Sequence, residues 1–205
     1  MFPALPPSAR WTALIIAIVA AASLAGLFVH NMQIERYGSP EATAWAMARF
    51  FTILTNIAVV LTFLVAALRR DGVGGPWIAA LTLAVVLVGA VFHILLSGIT
   101  TFSGIGTWAN QGLHTIVPIA CFLWWLIFAP KRTLDYRDLP MFIVWPCVYV
   151  AYALARGAND GIYPYPFMDL TEIGAAAVAT NLAGLLLTLL LGGVIFVMVG
   201  KFADR

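Results

Sequence analysis

Two threonines, an amide and two histidines stand out inside otherwise apolar stretches of a 205-residue chain. Thr52, Thr55 and Asn56 are related as i, i+3 and i+4, so a helix would carry them on one face. Gln111, His114, Thr115 and Pro118 form a second such stripe, and His93 and Ser97 stand four apart. A hydroxyl beside an imidazole is the minimum set for nucleophilic acyl transfer. The imidazole takes the hydroxyl proton as oxygen attacks a carbonyl, then returns it to the leaving alcohol. Thr52 or Thr55 with His114 meets that requirement. Asn56, Asn110 and Gln111 are amide candidates for stabilising the oxyanion, a contribution of about 3–4 kcal/mol per donor in well-studied hydrolases. His93 and Asn181 complete the supporting candidates.

What must position these groups is a membrane bundle. The chain is 62% hydrophobic and 10% charged with a mean hydropathy of +0.97, which a soluble domain of this size does not carry. Apolar stretches at residues 11–30, 45–68, 77–97, 110–129, 140–156 and 174–200 each approach the roughly 20 residues needed to cross hydrocarbon. The expected fold is all-α, one six-helix transmembrane domain spanning residues 1–205. The first stretch is long for a signal-peptide core and is expected to be a retained helix. Glycine and proline punctuate the connections, at residues 38–40, 72–76, 103–106 and 163–166.

Orientation follows from Lys and Arg, which resist translocation. With the N-terminus inside, the cytoplasmic side receives Arg10, Arg69, Arg70, Lys131, Arg132, Arg137, Lys201 and Arg205. The other side receives only Arg36, Arg49 and Arg156. Both termini are therefore expected in the cytoplasm, in a plasma or bacterial inner membrane. On that topology the polar groups lie in the outer half of the bilayer, within roughly 5–12 Å of the outer helix ends at about 1.5 Å per residue. Polar side chains retained in spans usually face the bundle interior and mark a working site.

Plainer readings cover most other residues. Thr62, Thr82 and Thr188 are expected to bond back to their own helices. Trp45, Trp77, Trp108 and Trp145 are read as aromatic-belt anchors, and His30 as an interfacial residue. Arg49 either snorkels outward, the favoured reading, or pairs with Asp160, Asp169 or Glu172. Cys121 and Cys147 have no second ligand nearby in sequence, so no disulfide framework or zinc site is expected. A net charge of +2 with scattered basic residues gives nothing for nucleic acid to bind. The glycines of residues 103–106 are read as a gate.

Three segments together resemble the androgen-induced-gene family of transmembrane threonine hydrolases and its bacterial six-helix relatives. They are Arg49-Phe50-Phe51-Thr52-Ile53-Leu54-Thr55-Asn56, Trp108-Ala109-Asn110-Gln111-Gly112-Leu113-His114-Thr115, and Tyr163-Pro164-Tyr165-Pro166-Phe167-Met168-Asp169. The Asn-x-Gly-x-His-Thr element is the most specific, and the order of the segments spans most of the chain. The resemblance implies hydrolysis of fatty acid esters of hydroxy fatty acids, with the family's threonine on Thr52 and its histidine on His114. Thr55 then becomes the second choice of nucleophile. The chain departs from the animal members at Gln111, where they have histidine, and at Thr55, where they have an acidic or amide residue.

The reading is an intramembrane lipid-ester hydrolase, without cofactor, whose site faces outward and whose partners are the bilayer and a lipid ester. Two other classes stay open. A transport or binding protein would use the same polar cluster to hold a small molecule or ion. A haem-binding electron carrier would use His93 and His114 as axial ligands.

Overall fold

The computed structural model describes residues 4–69, 72–99 and 101–202. Arg70 and Arg205, both in the charge balance above, lie outside the described residues. Among the described residues there are helices and no strands, and six of the helices are long and apolar enough to cross a membrane. They alternate in direction, so every second connection returns to the same end of the bundle.

Helix α1 (Pro7–Gln33) leads to the short α2 (Pro40–Met47), whose N-terminus is capped by Ser39 Oγ accepting from the Ala42 amide at 3.1 Å. The chain then bends. Phe50 is extended, and α3 (Phe51–Leu68) starts only after it. The second expected stretch, 45–68, is thus two elements, and Arg49 sits in the bend between them rather than inside a span.

Helix α4 (Gly75–Val91) continues as a π-helical turn, Phe92–Leu96. The fourth span is α5 (Ile105–Gln111), a second π-helical turn at Gly112–Ile116, and α6 (Val117–Phe128). Helix α7 (Leu139–Asp160) runs well past Arg156, because that arginine is buried against α2 and need not end the span. It stops at Gly161, which takes the left-handed conformation (φ 73°). Helix α8 (Leu170–Phe202) begins before the expected boundary and kinks at Gly174, where φ is 77°.

Close packing of α1 on α3 comes from small residues. Ala9, Ala13, Ala17 and Ala20 are all buried on one stripe of α1, against Val59, Phe63 and Ala66. Such stripes let backbones approach where lipid offers no hydrophobic drive. The stripe continues in Ser23 and Gly26, which receive Gly112 and Ala109 of the fourth span. At the other end of the bundle Trp125 lies tilted against Phe196, centroids 4.1 Å apart, and Phe63 meets Trp124 edge-on at 5.2 Å. Aromatic rings fill that end. The opposite end, where α3 begins and α4 finishes, is hollow.

Two expectations change here. His30 is buried, its ring beside Phe102 at 5.8 Å and beneath Gly106, where a Cβ would come within 2.6 Å of the imidazole. It is therefore a packed residue, seated against Gly106 at a distance that leaves no room for a side chain there. Trp145 turns inward from α7 instead of anchoring an interface: its Nε1 donates to Thr55 Oγ1 at 3.0 Å.

Candidate active site

Pro118 explains where His114 stands. Proline has no N–H for the carbonyl four residues earlier, and that carbonyl belongs to His114. The helix widens instead: the Val117 amide bonds Gly112 five residues back. Such π turns occur often at functional sites. Both spans bearing the candidate histidines have one, since His93 lies in the other. The His114 carbonyl lies against Gly89 of α4, where a Cβ would be only 2.8 Å from it.

The imidazole is fixed from three sides. Nδ1 lies 3.0 Å from the backbone oxygen of Asn110, and a carbonyl can only accept, so Nδ1 carries the proton. Nε2 is left as an acceptor, 3.3 Å from Thr52 Oγ1. Phe92 stacks on the ring, with centroids 4.0 Å apart and planes 23° apart. Thr52 itself occupies the first turn of α3 and is nearly buried. The contact is long for a hydrogen bond, as catalytic contacts without substrate often are.

Thr55 does not share this site. It is fully buried and is the acceptor for Trp145. Asn56 Nδ2 donates to the Thr52 carbonyl at 2.9 Å, bracing the helix that bears the hydroxyl, and its Oδ1 is buried without a partner. Asn110 contributes its backbone oxygen, while its side-chain oxygen is buried and unpartnered. Gln111 and His93 form a separate exposed chain, in which Thr115 Oγ1 donates to Gln111 Oε1 and lies against His93 Nε2, each at 2.9 Å. His93 and His114 thus direct their Nε2 atoms at different hydroxyls. Asn181 is distant in role: its amide donates to the Phe167 carbonyl at 2.8 Å and pins the loop before α8.

That loop supplies the residue the sequence left unassigned. The Tyr165 hydroxyl accepts from the Phe51 amide at 3.0 Å and also neighbours the Thr52 amide and hydroxyl and the Tyr149 hydroxyl. Burial raises the pKa of this phenol and keeps it protonated. Its ring stacks on Phe167, 5.1 Å between centroids. No periodicity marks Tyr165, which is bracketed by prolines; the only available sign was its place in the third matching segment.

The loop is tied down by Arg49. The guanidinium grips Asp160 through both nitrogens, at 2.6 and 3.0 Å, and also donates to the Ile162 carbonyl. Arg49 pairs rather than snorkels, because the bend after α2 brings it to the end of α7. Helix α7 also holds the bend itself. Tyr149 and Tyr152 donate to the carbonyls of Arg49 and Ala48, at 2.9 and 3.1 Å. Arg156 donates to the Trp45 carbonyl at 2.8 Å and lies over the Trp45 ring.

Two hollows meet at Thr52, His114 and Tyr165. One, of about 70 Å³, is apolar and runs among Leu87, Val88, Val91, Leu182, Leu185 and Leu186. The other, of about 170 Å³, opens toward Asn31, Arg36, Tyr37 and Phe102 and is more polar.

No family model, curated protein or solved structure matches the chain. The site draws on the three segments 49–56, 108–115 and 163–169. Thr52, His114 and Tyr165 come one from each of them.

Proposed function

We propose that the chain is an intramembrane lipid-ester hydrolase with Thr52 as nucleophile and His114 as general base. The observation that carries this is the Thr52 hydroxyl facing an imidazole nitrogen whose tautomer is set by the Asn110 carbonyl, at the junction of two hollows. Thr52 Oγ1 attacks the ester carbonyl carbon as its proton passes to His114 Nε2. The tetrahedral adduct collapses, the ester C–O bond breaks, and His114 returns the proton to the departing alcohol. Water then cleaves the acyl-threonine by the same proton route, freeing the acid and Thr52. The apolar hollow suits an acyl chain, and the polar one suits the alcohol portion and the incoming water.

The resemblance to the androgen-induced-gene hydrolases supports this reading, since its three segments converge on one site. We place the site toward the outside, both termini in the cytoplasm, from the eight-to-three distribution of Lys and Arg. Purified in detergent and assayed on 4-methylumbelliferyl oleate, the Thr52→Ala and His114→Ala variants are expected to lose activity, and Thr52→Ala to lose labelling by a fluorophosphonate probe. Full activity in either variant removes that residue from the mechanism. A wild-type protein that neither hydrolyses the ester nor takes up the probe supports a transport or binding role instead.

A further inference from the structure

We infer that Tyr165 is a catalytic residue, its phenol donating a hydrogen bond to the oxyanion that forms when Thr52 attacks the ester. The inference rests on the hydrolase reading and deepens it. The reaction needs a donor close to Thr52 Oγ1, because the oxyanion is only two bonds from that atom in the tetrahedral adduct. Of the amides first considered for the task, Asn56 Nδ2 donates to the Thr52 carbonyl and Asn181 Nδ2 to the Phe167 carbonyl, which leaves Asn110, a residue lining the polar hollow, as the remaining amide near the site. Gln111 belongs to the exposed chain with Thr115.

Tyr165 meets the geometric requirement. Its hydroxyl lies at the first turn of α3 beside the Thr52 hydroxyl, and its side chain lines both hollows where they join. The oxygen accepts a hydrogen from the Phe51 amide, at the positive end of an 18-residue helix. Accepting that bond polarises the O–H and makes it a better donor. The position is also rigid. Phe167 and Phe50 flank the ring, and the loop is pinned at Arg49–Asp160 and at Asn181. A donor already in place costs no reorganisation as charge develops, which is the condition under which such a bond accelerates reaction. Throughout the cycle the phenol keeps its proton; the proton that moves is the one shuttled by His114.

The test is Tyr165→Phe, which keeps the ring and its stacking. On 4-methylumbelliferyl oleate, kcat is expected to fall about 100-fold with KM little changed. Inhibition by a long-chain trifluoromethyl ketone, which forms the tetrahedral adduct, should weaken by a similar factor, whereas binding of the non-hydrolysable ether analogue should not. A role in packing alone would shift ether and ketone together. To guard against misfolding, 3-fluorotyrosine at position 165 preserves ring and hydroxyl while making the phenol more acidic. Activity should then decline at a lower alkaline pH than in the wild type. Unchanged kcat in Tyr165→Phe, or an unmoved alkaline limb with 3-fluorotyrosine, overturns the inference. If Thr52→Ala is inactive while Tyr165→Phe is fully active, the hydrolase reading survives and only Tyr165 is withdrawn. If Thr52→Ala is active, that reading itself has failed.

Discussion

Gly89→Ala changes no polar atom and touches neither Thr52 nor the imidazole, yet it tests the whole construction of the site. The added methyl would stand 2.8 Å from the His114 carbonyl oxygen, whereas ordinary contact begins at 3.4 Å. The difference, 3.4 minus 2.8, is about 0.6 Å of forced separation. The obstructing atom is backbone, flanked by Pro118 Cβ and Cγ at 3.3 Å, so no side-chain rotation relieves it. If the shift carries His114 away from α3, the Thr52–His114 contact lengthens from 3.3 Å to about 3.9 Å, outside hydrogen-bonding range. Misplacing a reacting group by about 1 Å can cost about 10²-fold. A fall of about 10- to 100-fold in kcat/KM is therefore expected, along with a loss of about 1–3 kcal/mol of stability from overpacking. The assay is ester hydrolysis in detergent with thermal melting in parallel. Gly184→Ala is the control, since nothing lies within 4 Å of a Cβ there. Wild-type kcat/KM in Gly89→Ala would refute the claim that this close approach sets the position of His114.

Further outcomes follow from the same geometry. Thr55→Val leaves the Trp145 N–H unpaired and should cost about 1–3 kcal/mol in melting experiments while leaving hydrolysis within about twofold, separating the two threonines. Gly112→Ala places a methyl on Ser23 Oγ and Cβ, so it should lower the melting temperature and abolish activity; adding Ser23→Gly should restore much of both. Asp169 accepts from the Thr171 hydroxyl and from amides at the start of α8, and the Thr171 bond holds its carboxyl below the ordinary range. With the folded pKa depressed, that contribution is complete above the unfolded carboxylate pKa of about 4 and fades as pH drops through the folded value. The melting-temperature gap between wild type and Asp169→Asn should accordingly close on acidification; a gap independent of pH would exclude this linkage.

The six apolar helices were legible because hydrocarbon thickness imposes a length that a run of Val, Leu, Ile and Ala either meets or misses. Their ends were less so. Arg156 seemed to close the fifth span, but α2 folds back to receive its guanidinium, and no local pattern announces that return. Arg49 illustrates the same limit: whether an arginine snorkels or pairs depends on which loop comes to meet it, here residues 160–162. The Thr52–His114 contact was anticipated from residue type and depth. The choice of Thr52 over Thr55 came from the resemblance, because i and i+3 share a face too broadly to decide it. In the structure that spacing turns Thr55 toward α7 and Thr52 toward the fourth span. The π turns escaped notice altogether, since one inserted residue barely disturbs an apolar periodicity. For the turn at Gly112–Ile116 the visible cause was Pro118; the turn at Phe92–Leu96 has no such residue near it.

The junction of the two hollows also implies a measuring rule. An occupant long enough to reach into both must thread a waist made by Thr52, His114, Tyr165 and Leu96. Whatever portion rests at that constriction is the portion exposed to the hydroxyl. On this reading selectivity depends less on recognising a headgroup than on where along the molecule its ester falls: isomers identical in composition but with the linkage displaced by a few carbons would seat equally well and be cut at very different rates.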